Sequence, residues 1–190
     1  PGGVCWALHT ICIAWTFTCL SCAMIALAKL AKSAPFVVMV DAVLYISTDY
    51  VFPGTQRHPY GEDDVPAPVN VYGLSKWRGE QAVAESGAES GADTLIVRTA
   101  WLYGPTGNNF VKSIMRAAQA QPSLRVVDDQ RGSPTSVEDL AAVIKVTAAG
   151  SVQGILHATN RGDCTWYEFA RAIVEEMNLE ISVLPISTAE

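Results

Sequence analysis

The sequence predicts an α/β fold built on a mostly parallel sheet. Three observations carry that expectation. Short apolar, β-branched runs recur along the body of the chain, stretches of helical length between them open on Asn, Ser or Thr, and the intervening loops are rich in Pro, Gly and Asp. Strand and helix alternating at these lengths is the pattern of a parallel sheet. The 190 residues suffice for one compact domain or a large part of one. A chain that is 49% hydrophobic and 17% charged is not a disordered one. With 13 Lys and Arg against 19 Asp and Glu, a net charge of −6 and no basic run, binding to nucleic acid is argued against.

Taken in order, Val43-Leu-Tyr-Ile-Ser47 reads as a buried parallel strand. A loop follows through Pro53-Gly54 and Gly61-Glu-Asp-Asp-Val-Pro-Ala-Pro68. Asn70 is placed to cap a helix from about Val71 to Ser86. Thr94 to Arg98 is the next strand, and Asn109 caps a helix over Phe110 to Ala120. Leu124 to Val127 is a short strand, Ser136 opens a helix over Val137 to Ala149, and Ile155 to Ala158 is a strand. The last helix starts at Thr165 and runs to about Met177, with Glu168 completing a capping box. No internal repeat is present.

The first forty residues differ from the rest. From Val4 to Ala28 there is no Asp, Glu, Lys or Arg, a run of about 25 residues that is long enough to cross a bilayer as a helix. Lys29 and Lys32 follow it, and no basic start precedes it as a signal peptide would require. Three readings are open: a membrane anchor over residues 4–28, a buried helix, or a stretch that is not native coding sequence. Cys5, Cys12, Cys19 and Cys22 all lie here, whereas Cys164 stands alone. Cys19-Leu-Ser-Cys22 has redox or metal spacing, but its apolar setting favours small buried hydrophobes, and His9, His58 and His157 are too scattered to complete a zinc site. The near absence of Cys elsewhere suits a reducing compartment, here the cytoplasm.

The chemistry centres on Tyr72-Gly-Leu-Ser-Lys76. Tyr and Lys at i and i+4 share a helix face. A phenol has a pKa near 10, and a nearby ammonium favours its ionised form. Such a pair suits a general acid for a carbonyl being reduced. Alone the spacing is weak, and its plain alternative is a solvated surface pair. The context adds Thr48, at the end of the strand that precedes this helix. In an open parallel sheet, ligands sit beyond the carboxyl ends of the strands. Thr48 is therefore placed to bond the same carbonyl oxygen as Tyr72.

Several ordered motifs extend that reading. Tyr45-Ile-Ser-Thr-Asp-Tyr-Val-Phe52, Asn70-Val-Tyr-Gly-Leu-Ser-Lys76, Arg98-Thr-Ala-Trp-Leu-Tyr-Gly104, Gly107-Asn-Asn-Phe110 and Asp128-Asp-Gln-Arg-Gly-Ser-Pro-Thr135 together resemble the dTDP-4-dehydrorhamnose reductase family. That family belongs to the extended short-chain dehydrogenases/reductases. Gly154-Ile-Leu-His157 and Trp166-Tyr-Glu-Phe-Ala170 continue the likeness, over roughly residues 43 to 180. The resemblance implies a partial Rossmann-like, doubly wound parallel sheet with a small C-terminal substrate-binding portion, over residues 41–190. It implies NADH or NADPH as cofactor and a nucleotide sugar as substrate, the 4-keto group of dTDP-4-dehydro-L-rhamnose being reduced to dTDP-L-rhamnose. By the same resemblance Tyr72 gives the proton, and Lys76 lowers the Tyr72 pKa and holds the nicotinamide ribose. Thr48 orients the keto oxygen, and Asp49 and Trp101 contact the sugar. Plainer readings stay open: Asp49 as a turn cap, Trp101 as core, Asn108 and Asn109 as a helix start, Asp128 and Asp129 as a structural turn. Some members of the family use a magnesium ion, to which no residue here is assignable, and the resemblance admits a homodimer.

The sequence departs from the family in one respect. A dinucleotide-binding half opens with a strand and a Gly-rich turn whose backbone N–H groups hold the pyrophosphate. Here there is only Gly2-Gly3, with no residue for the adenosine ribose. The chain opens on Pro1 and ends at Glu190, so the expectation is the middle and late part of a reductase, with Ile25 to Ser33 as the remnant of a helix leading into the strand at Val43. On that expectation this chain alone binds NAD(P)H weakly or not at all. A second resemblance, to the regulatory beta subunit of methionine adenosyltransferase, rests on the loop Asp63-Asp64-Val-Pro-Ala-Pro68 and implies a non-catalytic binding partner. Gly107-Asn-Asn-Phe110, Asp128-Asp-Gln130 and Trp101 favour the reductase.

Overall fold

The computed structural model describes residues 12–14 and 42–189. The cysteines at 5, 19 and 22 and the helix expected over residues 25–33 lie outside the described residues. Contacts divide the chain into two units, Pro1–Arg98 with Ala148–His157, and Thr99–Thr147 with Ala158–Glu190.

The first unit holds a four-stranded sheet of order β1-β2-β3-β8. Its strands are β1 (Cys12–Ala14), β2 (Ala42–Thr48), β3 (Asp93–Thr99) and β8 (Gly154–His157). β1 runs parallel to β2, with Cys12 opposite Val43, and β3 parallel to β8, with Leu95 opposite Gly154. Leu44, Leu95, Ile96 and Val97 are buried, as the apolar β-branched runs require. Of the run from Val4 to Ala28 only Cys12–Ala14 is described, as strand; the rest of the run, with the anchor read over residues 4–28, lies outside the described residues. Among the described residues no helix is long and apolar enough to cross a membrane.

Helix α1 (Val71–Ser90) begins where the sequence places it, with Asn70 Oδ1 accepting from the Gly73 N–H at 2.7 Å. It runs one turn beyond the expected end at Ser86. Gly87, just past that expected end, lets the helix approach the sheet, because a Cβ there would lie 2.4 Å from Thr94 Cγ2. The stop is Gly91, in the left-handed region at φ +72°, with its N–H on the Gly87 carbonyl.

The second unit is held by an apolar core. Helices α2 (Phe110–Ala120) and α4 (Trp166–Glu176) pack on β5 (Ser123–Val127) and β10 (Ser182–Ile186) around Ile114, Leu124, Val126, Ile173 and Val174. Asn109 caps α2 and Thr165 caps α4, with the capping box to Glu168 complete. Between α2 and α4, helix α3 (Val137–Ala149) follows Ser136, whose Oγ accepts from the Glu138 N–H. β10 was not legible in the sequence. It pairs parallel with β5 and carries Pro185, which lacks a donor and demotes the run as a strand; a two-stranded sheet consists of edges and accommodates it. The short pairs β4 (Leu102–Tyr103) with β7 (Thr135–Ser136), parallel, and β6 (Arg131–Gly132) with β9 (Cys164–Thr165), antiparallel, complete this unit.

Candidate active site

Four of the five residues singled out by the sequence meet in the first unit. β2 ends at Thr48, and the chain turns at once into a short 3-10 turn, Asp49–Val51. The Thr48 hydroxyl caps that turn: it accepts from the Tyr50 N–H at 3.3 Å and donates to Asp49 Oδ1 at 3.0 Å. α1 is seated against the turn by Gly73, where a Cβ would fall 2.0 Å from the Tyr50 carbonyl oxygen. That close approach brings Tyr72, the second residue of α1, to the carboxyl end of β2. Its ring meets Tyr50 edge-on at 5.9 Å. The Thr48 hydroxyl and the Asp49 carboxylate are joined, and the Tyr72 phenol lies at the same end of β2. Tyr72 remains 53% exposed, so it is open to a ligand.

Lys76 is only 5% exposed. Its Nζ donates to the Ile46 carbonyl oxygen at 2.5 Å and lies 4.4 Å from the centre of the Tyr45 ring. Burial pushes its pKa down to about 8, against the pull of Glu80. The sequence expectation that Lys76 lowers the Tyr72 pKa is not met in this structure. Burial raises the Tyr72 pKa, the nearby Thr48 hydroxyl opposes that, and the Asp49 charge adds to the rise. The physical reason is that the ammonium is turned beneath the helix onto β2. Tyr72 is therefore protonated at neutral pH. Burial likewise raises the Asp49 carboxyl, against its bond from Thr48.

Trp101 belongs to the second unit. Its backbone is left-handed, at φ +47°, and its ring stacks on Trp166 with centroids 3.4 Å apart and planes 8° from parallel. Gly132 lies against the indole, where a Cβ would be 2.4 Å from Cε2. The paired aspartates are tied up structurally: Asp128 Oδ1 accepts from the Thr165 hydroxyl at 2.6 Å, and Asp129 bonds the Thr188 N–H at 2.9 Å. Among the described residues no group of three or more His, Cys, Asp or Glu is arranged to hold a metal ion.

One group of residues escaped the sequence reading. Glu80, 4% exposed, forms a two-toothed ion pair with Arg98, 3% exposed: Arg98 Nε donates to Oε1 at 3.0 Å and Nη2 to Oε2 at 2.7 Å. The Ser47 hydroxyl also donates to Glu80 Oε1. Arg98 Nη1 lies 3.4 Å from His157 Nε2, whose Nδ1 faces the Tyr60 carbonyl at 3.1 Å. The His157 N–H donates to Glu62 at 2.9 Å, and Phe52 stacks on Tyr60 at 4.4 Å. The loop between β2 and α1 is thereby fastened to β8. The available signal was Arg98 itself, a charge inside an otherwise apolar strand.

Comparison with known proteins now places this arrangement. The model of the RmlD substrate binding domain matches residues 21–190. The chain belongs to the RmlD substrate binding domain family. A curated member-like relative, the spore coat polysaccharide biosynthesis protein SpsK of Bacillus subtilis, is 47% identical over 148 residues, 77% of this chain and 50% of that protein. The dTDP-4-keto-6-deoxy-D-glucose reductase of Streptomyces niveus is 46% identical over 129 residues, 68% of this chain and 44% of that protein. Among solved structures, the dTDP-4-dehydrorhamnose reductase of Bacillus anthracis in complex with NADP aligns with a TM-score of 0.73 at 46% identity, covering 78% of this chain and 51% of that one. The chain thus spans about half the length of the relatives it matches. The Rossmann-like α/β fold expected from the sequence agrees with that likeness.

Proposed function

We propose that the protein carrying these residues is an NAD(P)H-dependent reductase of a dTDP-4-keto-6-deoxy sugar, with dTDP-4-dehydro-L-rhamnose as substrate and dTDP-L-rhamnose as product. The single observation that carries this reading is the placement of Tyr72 at the carboxyl end of β2, seated against the turn that Thr48 caps. The related dTDP-4-dehydrorhamnose and dTDP-4-keto-6-deoxy-D-glucose reductases support the substrate class, and the NADP complex of the former supports the cofactor. Residues 41–190 are read as the partial cofactor and substrate portion, working in the cytoplasm.

Each residue has a definable task. Tyr72, kept protonated by its partly buried setting, holds the proton that a forming alkoxide takes up. Thr48, whose hydroxyl hydrogen Asp49 accepts in the ligand-free structure, turns that hydrogen to the same oxygen when the substrate is bound. The donor set also fits, in kind, the ribose end of a nicotinamide dinucleotide: a phenol at the ligand-binding edge of a parallel sheet and, one helical turn on, an ammonium held at the Ile46 carbonyl in the ligand-free structure. Lys76 and Tyr72 would hold the ribose hydroxyls. The nicotinamide, when bound, supplies the hydride. Asp49 and Trp101 are assigned to the sugar. The Trp166 stack and the contact with Gly132 restrict the Trp101 ring, which suits a fixed apolar wall for a deoxysugar.

The test is a coupled assay on the purified full-length protein. NADPH oxidation that depends on dTDP-4-dehydrorhamnose is the expected result. Absence of oxidation with this and other dTDP-4-keto-6-deoxy sugars would overturn the reading. Because residues 1–190 contain no Gly-rich phosphate turn, the isolated chain is expected to bind NADPH weakly; tight binding in a fluorescence titration would refute that part.

A further inference from the structure

The face that α1 lays on its sheet is unusual for a buried helix. Its buried residues are Gly73, Lys76, Gly79, Glu80 and Gly87, and none is a large apolar side chain. The glycines set the approach: Cβ atoms would fall 2.0 Å from the Tyr50 carbonyl oxygen at Gly73, 2.2 Å from the Tyr45 hydroxyl at Gly79 and 2.4 Å from Thr94 Cγ2 at Gly87. The only two long side chains on that face bind consecutive residues of β2. Lys76 donates to the Ile46 carbonyl, and Glu80 accepts from Ser47. Arg98 on β3 then grips Glu80 with two bonds.

We propose that Glu80 is a positioning residue for the Tyr72–Lys76 pair: clamped by Arg98 and Ser47, it fixes where α1 rests on the sheet and serves as the counter-charge of Lys76. The inference rests on the reading of Tyr72 and Lys76 as the active pair. A buried ion pair is a poor source of net stability, and well-packed apolar groups of similar volume do as well or better. Its advantage is direction. Two parallel N–H···O bonds define position and angle, where an apolar contact tolerates sliding. Lys76 and Glu80 are also one turn apart, so whatever fixes Glu80 fixes the Lys76 stem.

The electrostatics agree with this geometry. One buried carboxylate is bonded to Arg98 and lies one helical turn from Lys76 on the same buried face. The titratable and charged groups around Lys76 are Glu80 and Tyr72 on its own helix, Tyr45 on β2, Arg98 on β3 behind Glu80, and Asp49 in the 3-10 turn. Of these, Glu80 is the one whose charge acts on Lys76, and it favours the ammonium.

The experiment is an NMR titration of the protein labelled with ¹³Cε-lysine, read at Lys76, alongside steady-state kinetics. In the unsubstituted protein Lys76 is expected to titrate near pH 8. In E80Q the midpoint is expected about one pH unit lower. E80D, which keeps the charge, retains the midpoint near that of the unsubstituted protein. Turnover in E80Q is expected to fall by about 10²-fold with KM little changed, since a small misplacement of reacting groups has that cost. If E80Q does not fold, the double variant E80Q/R98Q, which removes the Arg98 charge left without its carboxylate, carries the same reading of Lys76. A lowered Tm with an unmoved Lys76 midpoint would overturn the proposal and make Glu80 purely structural. Absence of NADPH oxidation in the unsubstituted protein would instead overturn the proposed function, while the titration still decides the placement of Glu80.

Discussion

Helix α1 lays glycines, a lysine and a glutamate on its sheet, whereas α4 lays Ala170, Ile173 and Val174 on β5 and β10. The second arrangement is the ordinary one: an apolar stripe of an amphipathic helix removed from water. The first forgoes most of that stabilisation. In exchange it brings the helix backbone within van der Waals reach of β2 and fixes it with directed polar bonds. The comparison teaches that the part bearing the reactive groups is built for placement, and the part in the second unit for cohesion.

Four substitutions test that contrast. The largest effect is expected at Tyr72. Tyr72→Phe removes the proton donor and should lower turnover by about 10²–10⁴-fold, with little change in urea midpoint because the ring is half exposed. Ile173→Ala sits in the apolar core of the second unit and should reduce unfolding stability by about 2–5 kcal/mol, read by urea denaturation. It should leave the Lys76 titration unmoved. If it shifts Lys76 as strongly as E80Q does, the division between placement and cohesion collapses.

Gly73→Ala probes the close approach. The new methyl meets a backbone carbonyl rather than a flexible side chain, so α1 or the 3-10 turn must move. The expected cost is about 1–3 kcal/mol, accompanied by a loss of activity far larger than that destabilisation explains. A variant that loses stability and keeps full turnover would show that the seating of Tyr72 against Tyr50 is dispensable.

The smallest effect on stability concerns Lys76. Its folded pKa, about 8, lies below its ordinary value of 10.5. The unfolded chain therefore binds more protons between those values, and stability from this group rises with pH across that window and is lowest below it. Lys76→Met should remove this cost. Glu80 keeps its Arg98 partner in the variant, so no buried charge is left alone. A gain of about 1 kcal/mol at neutral pH is expected, less than the pKa displacement alone implies because the Ile46 carbonyl loses its donor. The gain should vanish above pH 10.5, and turnover should be abolished. Equal stability of the two proteins at neutral and alkaline pH would show that burying the ammonium costs nothing.

Much of this protein was decided by local sequence. Asn70, Asn109 and Thr165 set three helix starts through bonds within three residues, so their placement needed no tertiary information. The spacing of Tyr72 and Lys76, and Thr48 at a strand end, were likewise readable, because helical and strand periodicity alone bring them toward one edge of a sheet. The tertiary structure decided what lies across chain separations. Gly87 lies just past the expected helix end and acts as a contact within the helix, because its reason is Thr94 on the next strand. β10 is a strand because β5 lies beside it, despite Pro185. The direction of the Lys76 side chain depends on a carbonyl 30 residues away, and the Glu80–Arg98 pair spans 18. Caps and periodicity are short-range physics and are written in order along the chain. Burial, charge pairing and the pKa values that follow from them depend on what the folded chain brings alongside.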